Sequence, residues 1–264
     1  MSPFPVADSP ETTPPGPRSS SLWQRPYACI GRVLGIMRGT KRHWRIIRQQ
    51  GAPLELIRGV MSDMDALLGR GETLKASGRC TVVRLRDAGG ADWTARRYNT
   101  KGPWHTAAHW FLRSKAGWCW LNATRLTQAG LATPEPVMCA EERCMGVLRM
   151  RSLFVTRYVE GRSLWEMVAT GELKGERLTE VAVQFGRIWN TLGRLGIGHG
   201  DMKATNFIVD SENRLSMIDL DSMRVHRNSL MLARRRRQDL ERFMRNWKDH
   251  PAVAATFSAH LGTT

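Results

Sequence analysis

The chain has 264 residues, 42% of them hydrophobic, and carries 40 Lys and Arg against 24 Asp and Glu, a formal net charge of +16. That length suits one two-lobed domain or two small ones, with a sizeable core. The charge says nothing about fold but points to an anionic partner: a membrane surface, nucleic acid or a phosphorylated substrate. No run reaches the roughly 18 to 20 apolar residues of a membrane-spanning helix.

Residues 1–21 are rich in Pro, Ser and Thr and read as a disordered tail. Prolines and acids stand where the apolar core of a signal peptide would be, so the chain is expected to stay in the cytoplasm, peripheral to the inner membrane. Residues 22–60 read as a basic amphipathic extension. There is no Asp or Glu between Thr12 and Leu54, and Ile30, Val33, Leu34, Met37, Trp44 and Ile47 recur at near-helical spacing from Cys29 to Gln50. A basic helix there would either lie on an anionic leaflet or pack, solvated, on the domain. Gly31, Gly35 and Gly39 weaken it.

Three short β-forming runs follow, Glu72–Ala76, Cys80–Arg86 and Asp92–Tyr98, separated by Ser77–Gly78 and Ala88–Gly89–Gly90. They predict three antiparallel strands. Residues 114–130 predict a helix ending at Gly130, and Leu153–Val159 a strand ending at Glu160–Gly161. From Thr179, Val181, Phe185, Ile188, Trp189, Leu192 and Leu195 predict a helix that stops at Gly196 and Gly198. Phe207–Val209 and Leu215–Ile218 read as a hairpin around Asp210–Arg214, and Ser229–Lys248 as a last helix.

Five cysteines (Cys29, Cys80, Cys119, Cys139, Cys144) are scattered, and no His or Cys completes a zinc pattern around Cys139 and Cys144. They read as reduced structural thiols. Five of the ten tryptophans fall between positions 93 and 120. Packing accounts for Trp118 and Trp120; a membrane-interface role stays open for Trp104 and Trp110. No nucleic-acid motif accompanies the charge, so no nucleic-acid partner is expected.

The informative block is HGDMKATNFIVDSENRLSMIDLD. Asp201 stands five residues before Asn206, and Asn206 thirteen before Asp219, on a helix–loop–hairpin pattern. A loop Asp can orient an acceptor hydroxyl and take its proton, while an amide oxygen and a carboxylate are the hard ligands that Mg²⁺ prefers. The block resembles the catalytic loop and metal-binding turn of protein kinases, H-R-D-x-x-x-x-N before D-F-G. Its H-G-D form occurs in aminoglycoside and choline phosphotransferases.

A closer resemblance is to the lipopolysaccharide kinase family, which acts on Kdo or heptose of the inner core. It is carried by Arg96–Asn99, Gly130–Pro134, Val155–Gly161 and the block above. The resemblance implies an α+β, two-lobed protein-kinase-like fold, with a small N-lobe sheet over 61–160 and a reduced, mainly helical C-lobe over 161–264. It also implies ATP with Mg²⁺ and a sugar hydroxyl as acceptor, on an anionic glycolipid or phosphorylated sugar. The roles implied are Asp201 and Lys203 catalytic, Asn206 and Asp219 on metal, and Arg96, Asn122, Tyr158 and Val159 on nucleotide. Arg96 stands where the family has Lys, with Arg97 the alternative if the strand register slips by one; Asn122 stands where it has Glu. The expected Lys–Glu ion pair would become an Arg–Asn hydrogen bond. Arg157 replaces an acid before the hinge, and Ser77-Gly78-Arg79 is the best candidate for a glycine-rich loop. The 45 residues after Asp219 hold no A-P-E element, which argues against a protein substrate. A weakened kinase, a regulatory pseudokinase binding nucleotide or anionic lipid, and a small-molecule kinase of the aminoglycoside or choline type are the alternatives.

Overall fold

The computed structural model describes residues 31–36, 42–78, 80–87, 89–99, 113–144 and 148–262. The expected tail over 1–21, together with Cys29, Trp104 and Trp110, lies outside the described residues.

A seven-stranded antiparallel sheet forms the first part of the fold. Its strands are β1 (Gly31–Ile36), β2 (Arg42–Arg48), β3 (Glu72–Ser77), β4 (Cys80–Arg86), β5 (Asp92–Tyr98), β6 (Pro136–Cys144) and β7 (Leu148–Arg157), in spatial order β1-β2-β6-β7-β5-β4-β3. The three runs read as strands from the sequence are β3, β4 and β5, paired in that order.

The helix expected over Cys29–Gln50 is corrected to two strands, β1 and β2, with β2 also paired to β6. Trp44 and Ile46 are buried and Arg45 and Ile47 less so, which is the two-residue period of a strand with one face covered. Gly31 and Gly35 lie in β1, where a glycine-bearing helix is not required.

Side-chain alternation sends the sheet's two faces to different cores. Val83, Leu85, Trp93, Ala95, Leu153 and Val155 meet helix α1 (Leu54–Gly69) through Leu56, Ile57, Val60, Met64 and Leu68. Helix α1 breaks at Asp63 (φ −154°), whose carboxylate accepts the amides of Asp65 and Ala66 at 2.9 and 3.0 Å and so caps the second half. Asp65 then pairs with Arg97 and Arg151 on the sheet.

The opposite face, with Tyr98, Cys139 and Phe154, packs on helix α2 (Lys115–Gln128), whose N-cap Ser114 accepts the Gly117 amide at 2.9 Å. Trp120 is buried in this packing, and Trp118 carries Arg113 and Arg224 over its ring.

The second part is mainly helical. Its elements are β8 (Arg162–Ser163), α3 (Leu164–Ala169), α4 (Gly175–Arg194), β9 (Ile197–Gly198), β10 (Phe207–Val209), β11 (Leu215–Met217), β12 (Arg224–Val225), α5 (Ser229–Met244) and α6 (Pro251–Ala259). Short 3₁₀ turns lie at Ala204–Asn206, Leu220–Ser222 and Arg245–Trp247. Phe185 of α4 stacks on Phe243 of α5 at 4.0 Å between centroids, with Phe207 and Phe257 edge-on around them. This aromatic cluster is continuous with the α2 side of the sheet. It fixes the rigid frame from which the loop after β9 emerges.

Candidate active site

Helix α4 ends one turn before β9, and β9 leads straight into His199-Gly200-Asp201. Here the backbone is clamped. Asp239, buried on α5, accepts the His199 amide at 2.8 Å on one carboxylate oxygen and the Gly200 amide at 2.9 Å on the other. Charge-assisted bonds to two adjacent amides set the direction in which the loop leaves the strand. Gly200 has φ 84°, and a Cβ there would lie 2.7 Å from the Ser222 carbonyl oxygen. The middle position of H-G-D is therefore closed to any side chain by contact as well as by conformation.

His199 is fully buried. Its Nδ1 accepts the Asp201 amide at 3.3 Å, and its Nε2 has no partner among the described residues. Burial outweighs nearby Asp239, Asp219 and Asp201 and holds the imidazole pKa below its ordinary value, so the ring is neutral near pH 7.

Asp201 is the most heavily paired acid of the loop. Its Oδ1 accepts from Arg242 of α5, and its Oδ2 pairs with Lys203 Nζ at 2.9 Å. Burial alone would raise its pKa, but Lys203 and Arg242 prevail and hold the carboxyl below its ordinary value. It is a carboxylate at neutral pH.

Asn206 closes the loop: its Nδ2 donates to the Asp201 backbone carbonyl at 2.8 Å, and its own carbonyl accepts the Ile218 amide at 2.8 Å. With its nitrogen committed, the side-chain oxygen of Asn206 remains as a metal-ligand candidate. Hairpin β10–β11 returns the chain to Asp219, which adopts the left-handed region at φ 62°, ψ 65°. A non-glycine residue held there costs on the order of 1 to 3 kcal/mol and persists only where its surroundings over-determine it. Those surroundings are Arg96 of β5, whose Nη1 meets Asp219 Oδ1 at 2.5 Å, and Asn122 of α2, whose amide donates to the Leu220 and Met223 carbonyls at 2.8 and 3.3 Å.

The hydrogen bond expected between Arg96 and Asn122 is therefore not formed. Arg96 pairs with the acid of the turn, and buried Asn122 holds the two carbonyls that follow that acid. The strand register is the one expected: Arg96 faces the cavity, while Arg97 points to the opposite face and Asp65.

A cavity of about 340 Å³ lies between sheet and loop. Val82, Phe154, Ile208 and Ile218 give it apolar walls, Tyr158 and Val159 line it beside Gly161, and Arg96, Asn206 and Asp219 give it a charged end. Apolar walls suit a planar heterocycle, and the charged end suits phosphates and a hard cation. One or two protein oxygen ligands, with the rest supplied by phosphates and water, is how Mg²⁺ is commonly held; no group of three or more His, Cys, Asp or Glu placed to hold a metal ion by itself forms among the described residues. Asn122 does not reach the cavity. Ser77 closes the β3–β4 turn by bonding Cys80, and Leu74 and Lys75 of that hairpin reach the cavity. Arg157 pairs with Glu135 at 2.8 Å and covers Trp93.

Sequence reading missed Asp239, Arg242 and the pair Lys115–Asp221 (2.8 Å) beside the turn. A signal for Asp239 was present: it stands four residues before buried Phe243 and eight before buried Trp247, an acid on the apolar stripe of a helix. It also missed that Gly130–Pro134 clips onto the hairpin, with Ala132 O accepting the Met217 amide at 3.0 Å and Thr133 Oγ1 donating to Met217 O at 2.9 Å.

A mixed α/β chain that brings an H-x-D loop, an asparagine and a turn-borne aspartate against an antiparallel sheet is of the kinase-type phosphotransferase class. The chain belongs to the lipopolysaccharide kinase (Kdo/WaaP) family, whose model matches residues 75–260, from β3 through α6. No curated protein sequence matches it.

Proposed function

We propose that the protein transfers the γ-phosphoryl group of ATP to a sugar hydroxyl of the lipopolysaccharide inner core, working in a two-lobed, protein-kinase-like fold at the cytoplasmic face of the inner membrane. The observation that carries this reading is the meeting of Arg96, Asn206 and Asp219 on one cavity, with the Asp201 carboxylate 3.4 Å from the Asn206 amide. Mg²⁺, when bound, supplies charge neutralisation for the β and γ phosphates. Asn206 and Asp219 would hold it. Arg96 would turn from Asp219 to the phosphates, with Tyr158 and Val159 beside the base. Asp201 orients the acceptor hydroxyl and accepts its proton as the new oxygen–phosphorus bond forms and the bond to the departing ADP breaks. Lys203, with 44% of its side chain exposed, stands where it can follow the transferred group.

The membrane part of the proposal rests on the start of α5. Leu230 and Met231 are 80% and 64% exposed, and Arg227, Arg234 and Arg237 are exposed around them. Apolar side chains ringed by arginine suit an anionic leaflet. Sedimentation with phosphatidylglycerol vesicles tests this; the double change Leu230→Asp, Met231→Asp should cut binding at least tenfold.

A regulatory pseudokinase remains the second reading, because Arg96 engages the carboxylate that would hold the metal. Purified protein is incubated with labelled ATP, Mg²⁺ and deacylated inner-core oligosaccharide, beside Asp201→Asn and Asp219→Ala. Label entering the sugar with the native chain alone supports the kinase. Nucleotide binding without transfer supports the pseudokinase.

A further inference from the structure

A carboxylate takes the proton of an acceptor hydroxyl best through an oxygen lone pair that no cation already faces. In this structure both oxygens of Asp201 are engaged by cations, Oδ1 by Arg242 and Oδ2 by Lys203. Lys203 belongs to the loop itself. Arg242 comes from outside it, on α5, three residues beyond the Asp239 that clamps the loop backbone. Its origin on the helix is therefore fixed relative to Asp201, while 45% of its side chain is exposed and free to swing.

The guanidinium has five N–H donors in a planar fork suited to bidentate anions. Only Nη1 is engaged, with Asp201, among the described residues. A half-exposed fork beside the reacting carboxylate, with donors to spare, is a ready seat for an anion.

We propose that Arg242 is an acceptor-reading residue: it binds an anionic group, carboxylate or phosphate monoester, next to the reacting hydroxyl, and in doing so releases Oδ1 of Asp201 for that hydroxyl. Without such an acceptor Arg242 masks the base and suppresses transfer to water. Acceptors lacking the anion leave the mask in place. The inference rests on the kinase reading of Asp201 for its catalytic consequence, but the anion subsite stands or falls by binding alone.

The test uses the full chain, Mg²⁺, ATP and deacylated inner-core oligosaccharide in three forms: untreated, phosphatase-treated and carboxyl-reduced. Oligosaccharide binding is measured by calorimetry and transfer by label. The native chain should lose at least tenfold in affinity and in KM for whichever treated form lacks the group that is read, which also tells phosphate from carboxylate. Arg242→Ala should bind the untreated form about as weakly as that treated one and lose the discrimination. It should also hydrolyse ATP several-fold faster than the native chain when no acceptor is present, an effect that simple loosening of α5 would not produce. Arg242→Lys, which keeps the charge and loses the fork, should fall between. Equal binding of all three forms by the native chain overturns the subsite, as does discrimination that survives in Arg242→Ala. If the native chain shows the anion preference in binding but transfers nothing, the subsite holds and the kinase reading is what fails.

Discussion

The two banks of the cavity are built by different rules. On the loop bank, contacts to the backbone hold the frame: Asp239 grips two amides, the Asn206 side chain grips the Asp201 carbonyl, and the hairpin amide of Ile218 grips the Asn206 backbone carbonyl. On the sheet bank, Arg96 has no acid of its own and takes its partner from across the cavity, at Asp219. Asn122, which occupies the helix position expected to face Arg96, serves the loop bank by holding the turn after Asp219. The loop bank is thus rigid without ligand, whereas the sheet bank's cation is held by the very carboxylate it must release. The chemistry of such a site does not require both banks to be preset, since phosphates can draw Arg96 away once they arrive.

That contrast is broken most severely from the loop bank. Asp201→Asn keeps the shape and removes the base, so transfer should fall about 10²- to 10⁴-fold with nucleotide binding little changed. Asp219→Ala should abolish the magnesium dependence of nucleotide binding and free Arg96. Calorimetry with and without the metal separates the two; equal behaviour of both variants would dissolve the division of labour.

Next in size is Asn122→Glu. An ion-pair reading predicts that a carboxylate restored opposite Arg96 stabilises the site. The observed contacts predict the reverse: a buried carboxylate facing the Leu220 and Met223 carbonyls is uncompensated, which costs about 3 to 5 kcal/mol. Denaturant midpoints of native, Asn122→Glu and Arg96→Lys/Asn122→Glu decide it. A double variant as stable as the native chain and faster in ATP turnover would restore the ion pair.

Asp239→Asn sharpens the comparison from the rigid side. The amide offers one acceptor where two are needed and turns an N–H toward a backbone donor. Leaving one buried donor unpaired costs about 1 to 3 kcal/mol. The fall in stability should come with a fall in kcat that exceeds any change in nucleotide affinity, because the loop's direction, not its ligands, is disturbed.

Much of this arrangement was legible because its signals are local. Strands β3 to β5 are runs of β-formers bounded by Ser77–Gly78 and Gly89–Gly90, and the spacing of Asp201, Asn206 and Asp219 survives any uncertainty in packing. The family match over residues 75–260 agrees with the family resemblance carried by those segments. The misread helix over 29–50 shows how a basic strand pair deceives: among the apolar residues, Trp44 and Ile47 mimic a three-residue step, while the buried pair, Trp44 and Ile46, alternates with period two. Strand β6 carries Glu141 and Glu142, acids of a type that is seldom buried without a partner. Both are buried because Ser114 donates to Glu141 at 2.6 Å and Arg151 meets Glu142 at 2.7 Å, and no pattern within β6 reveals partners 27 and 9 residues away. Asn122 and Asp239 failed for the same reason: each acts on backbone groups far along the chain, and only the fold says which.

The smallest expected effect concerns pH. His199 is buried and neutral, with its pKa held below its ordinary value by burial. The unfolded chain carries a histidine that titrates near pH 6.5, so as pH falls through that value the unfolded state takes up a proton that the folded state refuses. Stability from this source is fully present above about pH 6.5 and declines below it, at no more than about 1.4 kcal/mol per pH unit for a single proton. Asp201 acts in a separate window. Its depressed pKa gives stability that is lost only as pH drops below the ordinary carboxylate range, near 3.9. Unfolding free energies between pH 7.5 and 5.5 therefore isolate the histidine. The native chain should show a positive slope against pH that His199→Asn removes, whatever that variant does to stability at pH 7.5. If the slope survives the substitution, another group titrates in this range, and the neutral imidazole is not what ties the loop bank's rigidity to pH.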